Sequence, residues 1–258
     1  MRDSIVTLYP RGSSDELTDE QLLELYAPAD RSVPRLRANF ISSVDGSATA
    51  GGLSGALGAP ADKRVFDLLR QLCDVVIVGA GTVRDEGYTA LRVGPDAAAW
   101  RLANGLAEHP SFAIVSARLD LDAASAIFRD APVRPIVITT SSAPRHAHED
   151  LARVAEIVSC GETSVDASKL VSALTERRMS QLHCEGGPHL LGTLIAADAL
   201  DELCLTISPA LEGGFGPRIA STDSPLELRA MSLDHVLAAG SMLLTKYSRN
   251  RSLGSRAQ

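Results

Sequence analysis

The residues best able to do chemistry cluster at Cys184-Glu185-Gly186-Gly187-Pro188, between the stretch Leu182-His183 and the set Leu190, Leu191, Leu194 and Ile195. The spacing predicts a short buried strand, a two-glycine turn and a helix packing one side on a sheet. Glycine lets a ligand lie against the backbone, and the unpaired N–H groups of a helix start favour an anion. A phosphate-bearing cofactor fits such a turn, although two glycines between strand and helix can also be a turn and nothing more. A second carboxylate, Asp45, follows the strand-like Leu36-Arg37-Ala38-Asn39-Phe40-Ile41 within Ser42-Ser43-Val44-Asp45-Gly46-Ser47. Asp45 reads either as a turn or cap residue or as a carboxylate at a pocket mouth, orienting or protonating a heterocycle.

These groups need elements to position them. Pro60 to Leu72 predicts a helix with Pro60 in its first turn, and Val65, Phe66, Leu68, Leu69 and Leu72 form a stripe read as core. Val75-Val76-Ile77-Val78 is a continuous apolar run, as expected for a strand buried on both faces of a parallel sheet. Behind it, Gly79-Ala80-Gly81-Thr82-Val83-Arg84 fails the dinucleotide fingerprint because Arg84 stands where the third glycine belongs. What remains is a glycine-rich strand end, which in an open α/β sheet is where ligands bind. Phe112 to Val115, Pro135 to Ser141 and Val154 to Ser159 predict further strands, and Asp166 to Arg178 a helix; Pro95 to Pro110 reads as helix or irregular insertion. Small polar residues at strand ends (Gly81-Thr82, Ser116, Thr139-Thr140) suit a nucleotide edge and are also ordinary turn formers. Leu203 to Pro209 and a hairpin of Val236-Leu237 with Met242 to Tyr247 close the fold.

Strands alternating with helices and then strands alone predict an α/β domain over residues 34–247. It has a mostly parallel central sheet, an antiparallel C-terminal edge and helices on both faces. Residues 1–33 read as an accessory arm with one short helix after the capping box Thr18-Asp19-Glu20-Gln21, and residues 248–258 as a polar tail. With 32 acidic against 25 basic residues and a formal charge of −7, general nucleic-acid or anionic-membrane binding is not expected. No apolar run reaches the ~20 residues of a membrane span. The four cysteines are scattered without a C-x-x-C, and His146 and His148 lack a further ligand at helical spacing. We therefore expect reduced core thiols, surface histidines, no metal and a cytoplasmic protein.

Three motifs in order, Asn39-Phe40-Ile41-Ser42-Ser43-Val44-Asp45-Gly46, Val78-Gly79-Ala80-Gly81-Thr82-Val83 and Glu185-Gly186-Gly187, together resemble the reductase domain of the riboflavin-pathway deaminase–reductase. The resemblance runs from about Arg35 to Tyr247 and includes Asp201-Glu202-Leu203 through Ser208-Pro209 with Gly213-Gly214 beyond. It implies a dihydrofolate-reductase-like three-layer fold and an NADPH-dependent reductase of 5-amino-6-(5-phosphoribosylamino)uracil, commonly a homodimer. Gly186, Gly187, Pro188 and Leu190 would then meet the pyrophosphate, with Gly81, Thr82 and Val83 opposite. Ser116, Arg118 and Thr139 would lie along the adenosine half, Arg118 facing a 2′-phosphate. Asn39, Ser43 and Asp45 would line the substrate site, Asp85 and Arg92 its ribose phosphate, and Asp45 and Glu185 the reacting carbon.

The sequence departs from that pattern where Ser47 follows Asp-Gly in place of a basic residue and where Ala56-Leu57-Gly58-Ala59-Pro60 replaces a polar-aromatic stretch. The deaminase zinc signature H-x-E…P-C-x-x-C is absent from the sequence. A pteridine such as dihydrofolate is therefore an alternative substrate. A nucleotide-binding protein without catalysis is the alternative of another class.

Overall fold

The computed structural model describes residues 4–10 and 12–249. In chain order the elements are β1 (Val6–Tyr9), α1 (Asp19–Tyr26), β2 (Arg35–Ser43), α2 (Pro60–Leu72), β3 (Val75–Gly79), α3 (Ala80–Asp85), α4 (Pro95–Ala103), β4 (Ser111–Val115) and α5 (Ala126–Arg129). They continue with β5 (Ile136–Thr139), α6 (Arg145–Leu151), β6 (Glu156–Ser159), α7 (Ala167–Thr175), β7 (Gln181–Gly186), α8 (Pro188–Ala196), β8 (Glu202–Ser208), β9 (Met231–Ala239) and β10 (Met242–Arg249).

The strands form one ten-stranded sheet ordered β1-β9-β10-β8-β2-β7-β3-β4-β5-β6. From β8 through β6 every pairing is parallel, and β8-β10-β9-β1 is antiparallel. On one face α7 and α8 set Leu170, Leu174, Leu190, Leu191 and Leu194 against Leu36, Ala38, Val75, Ile77 and Cys184. The other face is covered by α3, α5 and α6 over Val76, Val78 and Ile114, and by α1 and α2 over Cys204, Leu237 and Leu244. This is the expected mostly parallel, three-layer arrangement with an antiparallel C-terminal edge.

Three local readings change. The glycine-rich end of β3 leads into an element not read from the sequence: the chain turns at Gly79 straight into the short helix α3, which buries Ala80 and Val83. Residues 95–103 are helical, and the side chain of Arg101 is buried because it donates to the carbonyls of Gln71, Cys73 and Ala107, closing the end of α2. The N-terminal segment contributes more than a docked helix. Its strand β1 pairs with β9, and Ile5, Leu22 and Tyr26 are fully buried beside α2. The capping box forms as read, Thr18 and Gln21 exchanging both bonds. At the other end Ser248 and Arg249 belong to β10, and the rest of the expected tail, residues 250–258, lies outside the described residues.

All four cysteines are free and buried, and burial pushes the Cys73 and Cys184 thiols up to about 12 and Cys204 to about 11, so they stay protonated and unreactive. His146 and His148 are exposed on α6. No helix among the described residues is long and apolar enough to cross a membrane.

Candidate functional site

A cleft of about 790 Å³ opens at the carboxyl ends of β2, β3 and β7, where crevices of open parallel sheets form. Its floor is the end of β2, with Asn39, Phe40 and Ile41. One wall is α2, which presents Asp62, Lys63, Phe66 and Arg70. The other runs from Thr82 and Asp85 through Tyr88 to Arg92, and the β7–α8 turn Glu185-Gly186-Gly187-Pro188 closes the back. Glu86 accepts the Ser54 N–H at 2.7 Å, tying the glycine-rich segment after β2 across to the end of α3.

The turn itself is shaped by close approach. Gly186 has φ +132°, a left-handed conformation that side chains disfavour, and the Gly186–Gly187 peptide is cis. A Cβ on Gly187 would stand 2.5 Å from Thr82 Oγ1, so α3 and the turn face each other with no room for a larger residue. Gly187 is also the N-cap of α8 and brings no side chain to cap it, leaving the helix start open to an external anion.

Glu185 anchors the deep end. Its side chain is fully buried, and Arg70 grips it with two bonds of 2.6 Å. The Tyr88 hydroxyl donates to the same carboxylate at 3.0 Å. Burial opposes the Arg70 charge, but the bonds to Glu185 outweigh it and the guanidinium is held above its usual range. The guanidinium also lies 4.3 Å from the Phe66 ring centroid, a cation–π contact that turns it away from solvent. Behind Glu185, His183 Nε2 stands 3.6 Å from its carboxylate, yet burial and then the charges of Arg37 and Arg70 depress this imidazole well below its usual value. The histidine is therefore neutral and the contact is not an ion pair.

The predicted residues do not all converge. Asn39, Asp85, Arg92, Thr82, Glu185, Gly186, Gly187 and Pro188 line the cleft. Ser43 and Asp45 do not: the Ser43 hydroxyl donates to Asp45 at 2.5 Å, and Asp45 accepts the backbone N–H groups of Glu212 and Gly213. The Ser43 bond first, then those from Gly213 and Glu212, hold the exposed Asp45 carboxyl down at about 2. Asp45 is the buckle of the 212–213 turn, and it is poorly suited to deliver a proton near neutral pH. Val83 and Leu190 point into the core instead of at a ligand, as helix periodicity demands of their faces. Thr139 is fully buried with its hydroxyl turned to the Ala117 carbonyl, and Ser116 is buried at the end of β4. Arg118 beside them is exposed, without a hydrogen bond or ion pair to another described residue.

Sequence reasoning missed the α2 wall. Phe66, read as core, is half-buried and lines the cleft with Asp62, Lys63 and Arg70. The signal was present: positions 62, 66 and 70 recur every four residues, so they share a face beside the apolar stripe. A second cavity of about 580 Å³, between α8 and residues 218–229, shares no residue with this cleft. Its Arg229 and Arg249 are already engaged by Asp198.

The profile of the RibD C-terminal domain family matches residues 34–245. Among named proteins, the 2,5-diamino-6-ribosylamino-4(3H)-pyrimidinone 5′-phosphate reductase of Archaeoglobus fulgidus is 28% identical over 153 residues, spanning 59% of this chain and 69% of the relative. The protein of the same name from Methanothermobacter thermautotrophicus is 29% identical, over 70% and 80% of the two chains. A solved pyrimidine reductase-like protein from Corynebacterium diphtheriae superposes with a TM-score of 0.83 at 26% identity, covering 91% of this chain and all of its own.

Proposed function

The chain belongs to the RibD C-terminal domain family, and we propose that it is the NADPH-dependent reductase of a phosphoribosylamino-pyrimidine in riboflavin biosynthesis. The observation that carries this reading is the Glu185-Gly186-Gly187 turn, closed against Thr82 and anchored by Arg70 and Tyr88 at the back of the cleft.

The residues present fit a dinucleotide. The uncapped start of α8 and the side-chain-free Gly186-Gly187 backbone would take the pyrophosphate, with Thr82 and Gly81 opposite. The exposed guanidinium of Arg118 would meet a 2′-phosphate near Ser116. Thr139 would act from beneath by fixing the Ala117 carbonyl. When bound, NADPH supplies the hydride that reduces the opened ribosyl carbon C1′. Glu185 sets the depth of the reacting pair, since both of its oxygens already have fixed partners. Arg92, on the same rim as Asp85, supplies positive charge for the substrate phosphate. Arg92 is steadied by its 2.5 Å bond to the Asp130 carbonyl.

A homodimer is supported by an uncovered stretch of sheet. Leu205, Ile207, Val236, Ala238 and Leu243 are half-buried, and none belongs to a core cluster. Ile207, Leu243 and Ala238 lie in one row across β8, β10 and β9. A second copy would cover them, and Leu243→Arg would then give a monomer by sedimentation. Buried, protonated thiols suit a reducing compartment, and we place the protein in the cytoplasm.

The deciding experiment follows the loss of reduced-nicotinamide absorbance with the phosphoribosylamino-pyrimidine and dihydrofolate offered in parallel. Preference for the pyrimidine in kcat/KM supports the proposal. Preference for dihydrofolate moves the same site to folate chemistry, and NADPH binding without turnover leaves a nucleotide-binding protein.

A further inference from the structure

His183 is a buried imidazole to which the fold gives no partner. It lies on β7 between Arg37 of β2 and Val76 of β3, two residues before Glu185 and on the same face of the sheet. It is 1% exposed, and neither ring nitrogen has a hydrogen-bond partner among the described residues. Buried polar atoms are normally paired, so two on one ring call for an explanation. Glu185 supplies half of it. A carboxylate offers about four acceptor positions. Oε1 takes Arg70 Nε, and Oε2 takes Arg70 Nη2 and the Tyr88 hydroxyl. The position left on Oε1 faces His183 Nε2 at 3.6 Å, about 0.5 Å beyond hydrogen-bonding range. The other half lies beneath the ring. A void of about 10 Å³ adjoins it, lined by Arg35, Arg37, Gln181 and Glu202, about the room of a single water. Arg35 Nε is buried and unpaired as well. Glu202 Oε1 meets Arg35 and Lys246 at 3.7 and 3.5 Å, which leaves it a lone pair for a shorter bond.

We propose that His183 is a positioning residue of the reduction: fixed as its Nε2–H tautomer by one water in this void, it donates to Glu185 Oε1 and completes the grip on that carboxylate from behind the cleft. The inference rests on the reading of the cleft as a reductase site. The water accepts the Arg35 Nε–H, donates one hydrogen to His183 Nδ1 and gives the other to Glu202 Oε1, so a single molecule satisfies both orphaned atoms around the void. With Nδ1 occupied as an acceptor, the ring carries its proton on Nε2, facing Glu185. A small turn of the ring closes the remaining gap. The imidazole stays neutral, because burial and then the charges of Arg37 and Arg70 oppose a further proton. A neutral donor adds a bond without displacing Arg70 as the counter-charge. Arg70 and Tyr88 hold the carboxylate from α2 and from the segment after α3, whereas His183 holds it from its own strand. Gripped from both sides, Glu185 keeps one orientation toward the reacting pair. His183 touches neither substrate nor cofactor and acts through Glu185.

The test reads the tautomer and the turnover separately. Nitrogen-15 correlation spectra of the imidazoles in the labelled protein, with His183 assigned by its loss in His183→Gln, should show a neutral ring protonated at Nε2. A ring protonated at Nδ1, or a charged one, overturns the assignment. Kinetics with the phosphoribosylamino-pyrimidine and NADPH supply the second arm. The amide nitrogen of Gln reaches the place of Nε2 and that of Asn the place of Nδ1. His183→Gln should therefore keep most of kcat, while His183→Asn and His183→Leu lose roughly 10-fold, the scale of one hydrogen bond to a charged group. KM and NADPH affinity should match wild type in all three variants, since the residue touches neither ligand. A packing role alone would treat the two amides alike, so the split between Gln and Asn carries this arm. Equal loss in both, or a Leu variant with the kcat of wild type, overturns the proposal. A wild type that consumes no NADPH with any pyrimidine sinks the reductase reading, and the tautomer then decides alone whether His183 holds Glu185.

Discussion

Asp45 and Glu185 are both acids at the carboxyl end of parallel strands, and from the sequence they look like partners in one reaction. Their surroundings separate them. Asp45 is exposed, and its oxygens are taken by Ser43 and by two backbone N–H groups of a neighbouring turn. Glu185 has a fully buried side chain, and its partners are themselves side chains of the cleft, Arg70 and Tyr88. A carboxylate saturated by backbone holds a loop; one held by side chains of the cavity wall sets the geometry of the cavity. Residue type and strand-end position are shared, so the difference lies wholly in what approaches from elsewhere in the chain.

The strongest way to break this comparison is to remove the partner of the buried acid. Arg70→Leu should strand Glu185 without a counter-charge, costing about 3–5 kcal/mol of stability in denaturant unfolding. Pairing it with Glu185→Gln should recover a large part of that loss, because an uncompensated charge is no longer buried. Activity should fall in both variants. If Arg70→Leu is as stable as wild type, Glu185 is not the anchored group described here.

The buried side of the comparison has a pH signature. His235, beside Tyr26 at a 4.8 Å ring separation, is held down to about 4 by burial and then by Lys246. His183, behind Glu185, is depressed in the same direction. An unfolded imidazole titrates near 6.5. Between roughly pH 6.5 and 4, protons thus bind the unfolded chain more readily, and stability should fall as pH drops through that window. His235 alone accounts for up to about 3 kcal/mol over it. Urea midpoints from pH 7 to 4.5 measure the slope. His235→Phe should flatten it, and an unchanged slope would mean that the histidine is not buried neutral.

The Gly186-Gly187 turn, where we propose that the cofactor binds, yields the next effect. Gly187→Ala places a methyl group against Thr82 Oγ1 and should weaken NADPH binding by roughly 10-fold, a cost of one misplaced contact. Thr82→Ala in the same chain removes the atom it meets and should restore part of the affinity. No restoration would argue that the turn, and not its approach to α3, limits binding.

Much of the fold was legible because it rests on period and punctuation. Pro60 and the apolar stripe set α2 with the bounds read, and Val75 to Val78 declared a strand buried on both faces. The glycine turn was legible for the same local reason. What the sequence hid depends on distant partners. Val6–Tyr9 is a strand because β9 offers it an edge. Arg70 becomes a site residue because β7 brings Glu185 to it across 115 positions. Val83 lies within a motif that carried the resemblance and Leu190 just beyond one, yet their helix faces turn them into the core.

Asp45 gives the smallest and sharpest prediction. Asp45→Asn keeps the shape and one acceptor oxygen, but loses the charge that gathers the Glu212 and Gly213 N–H groups. A proton donor replaced in this way would cost ~10²–10⁴-fold in kcat. A loop buckle should cost less than about 10-fold, well short of the general-acid range, chiefly in KM, and leave NADPH affinity unchanged. Acid titration supplies the companion test. The folded carboxyl titrates at about 2 and an unfolded one near 3.9, so its stabilising share is complete above pH ~4 and lost as pH falls toward 2. The Asn variant should lack that share, its unfolding midpoint converging with wild type only at the acid end. A kcat loss in the general-acid range, with KM and stability untouched, would return Asp45 to the chemistry and erase the distinction between the two acids.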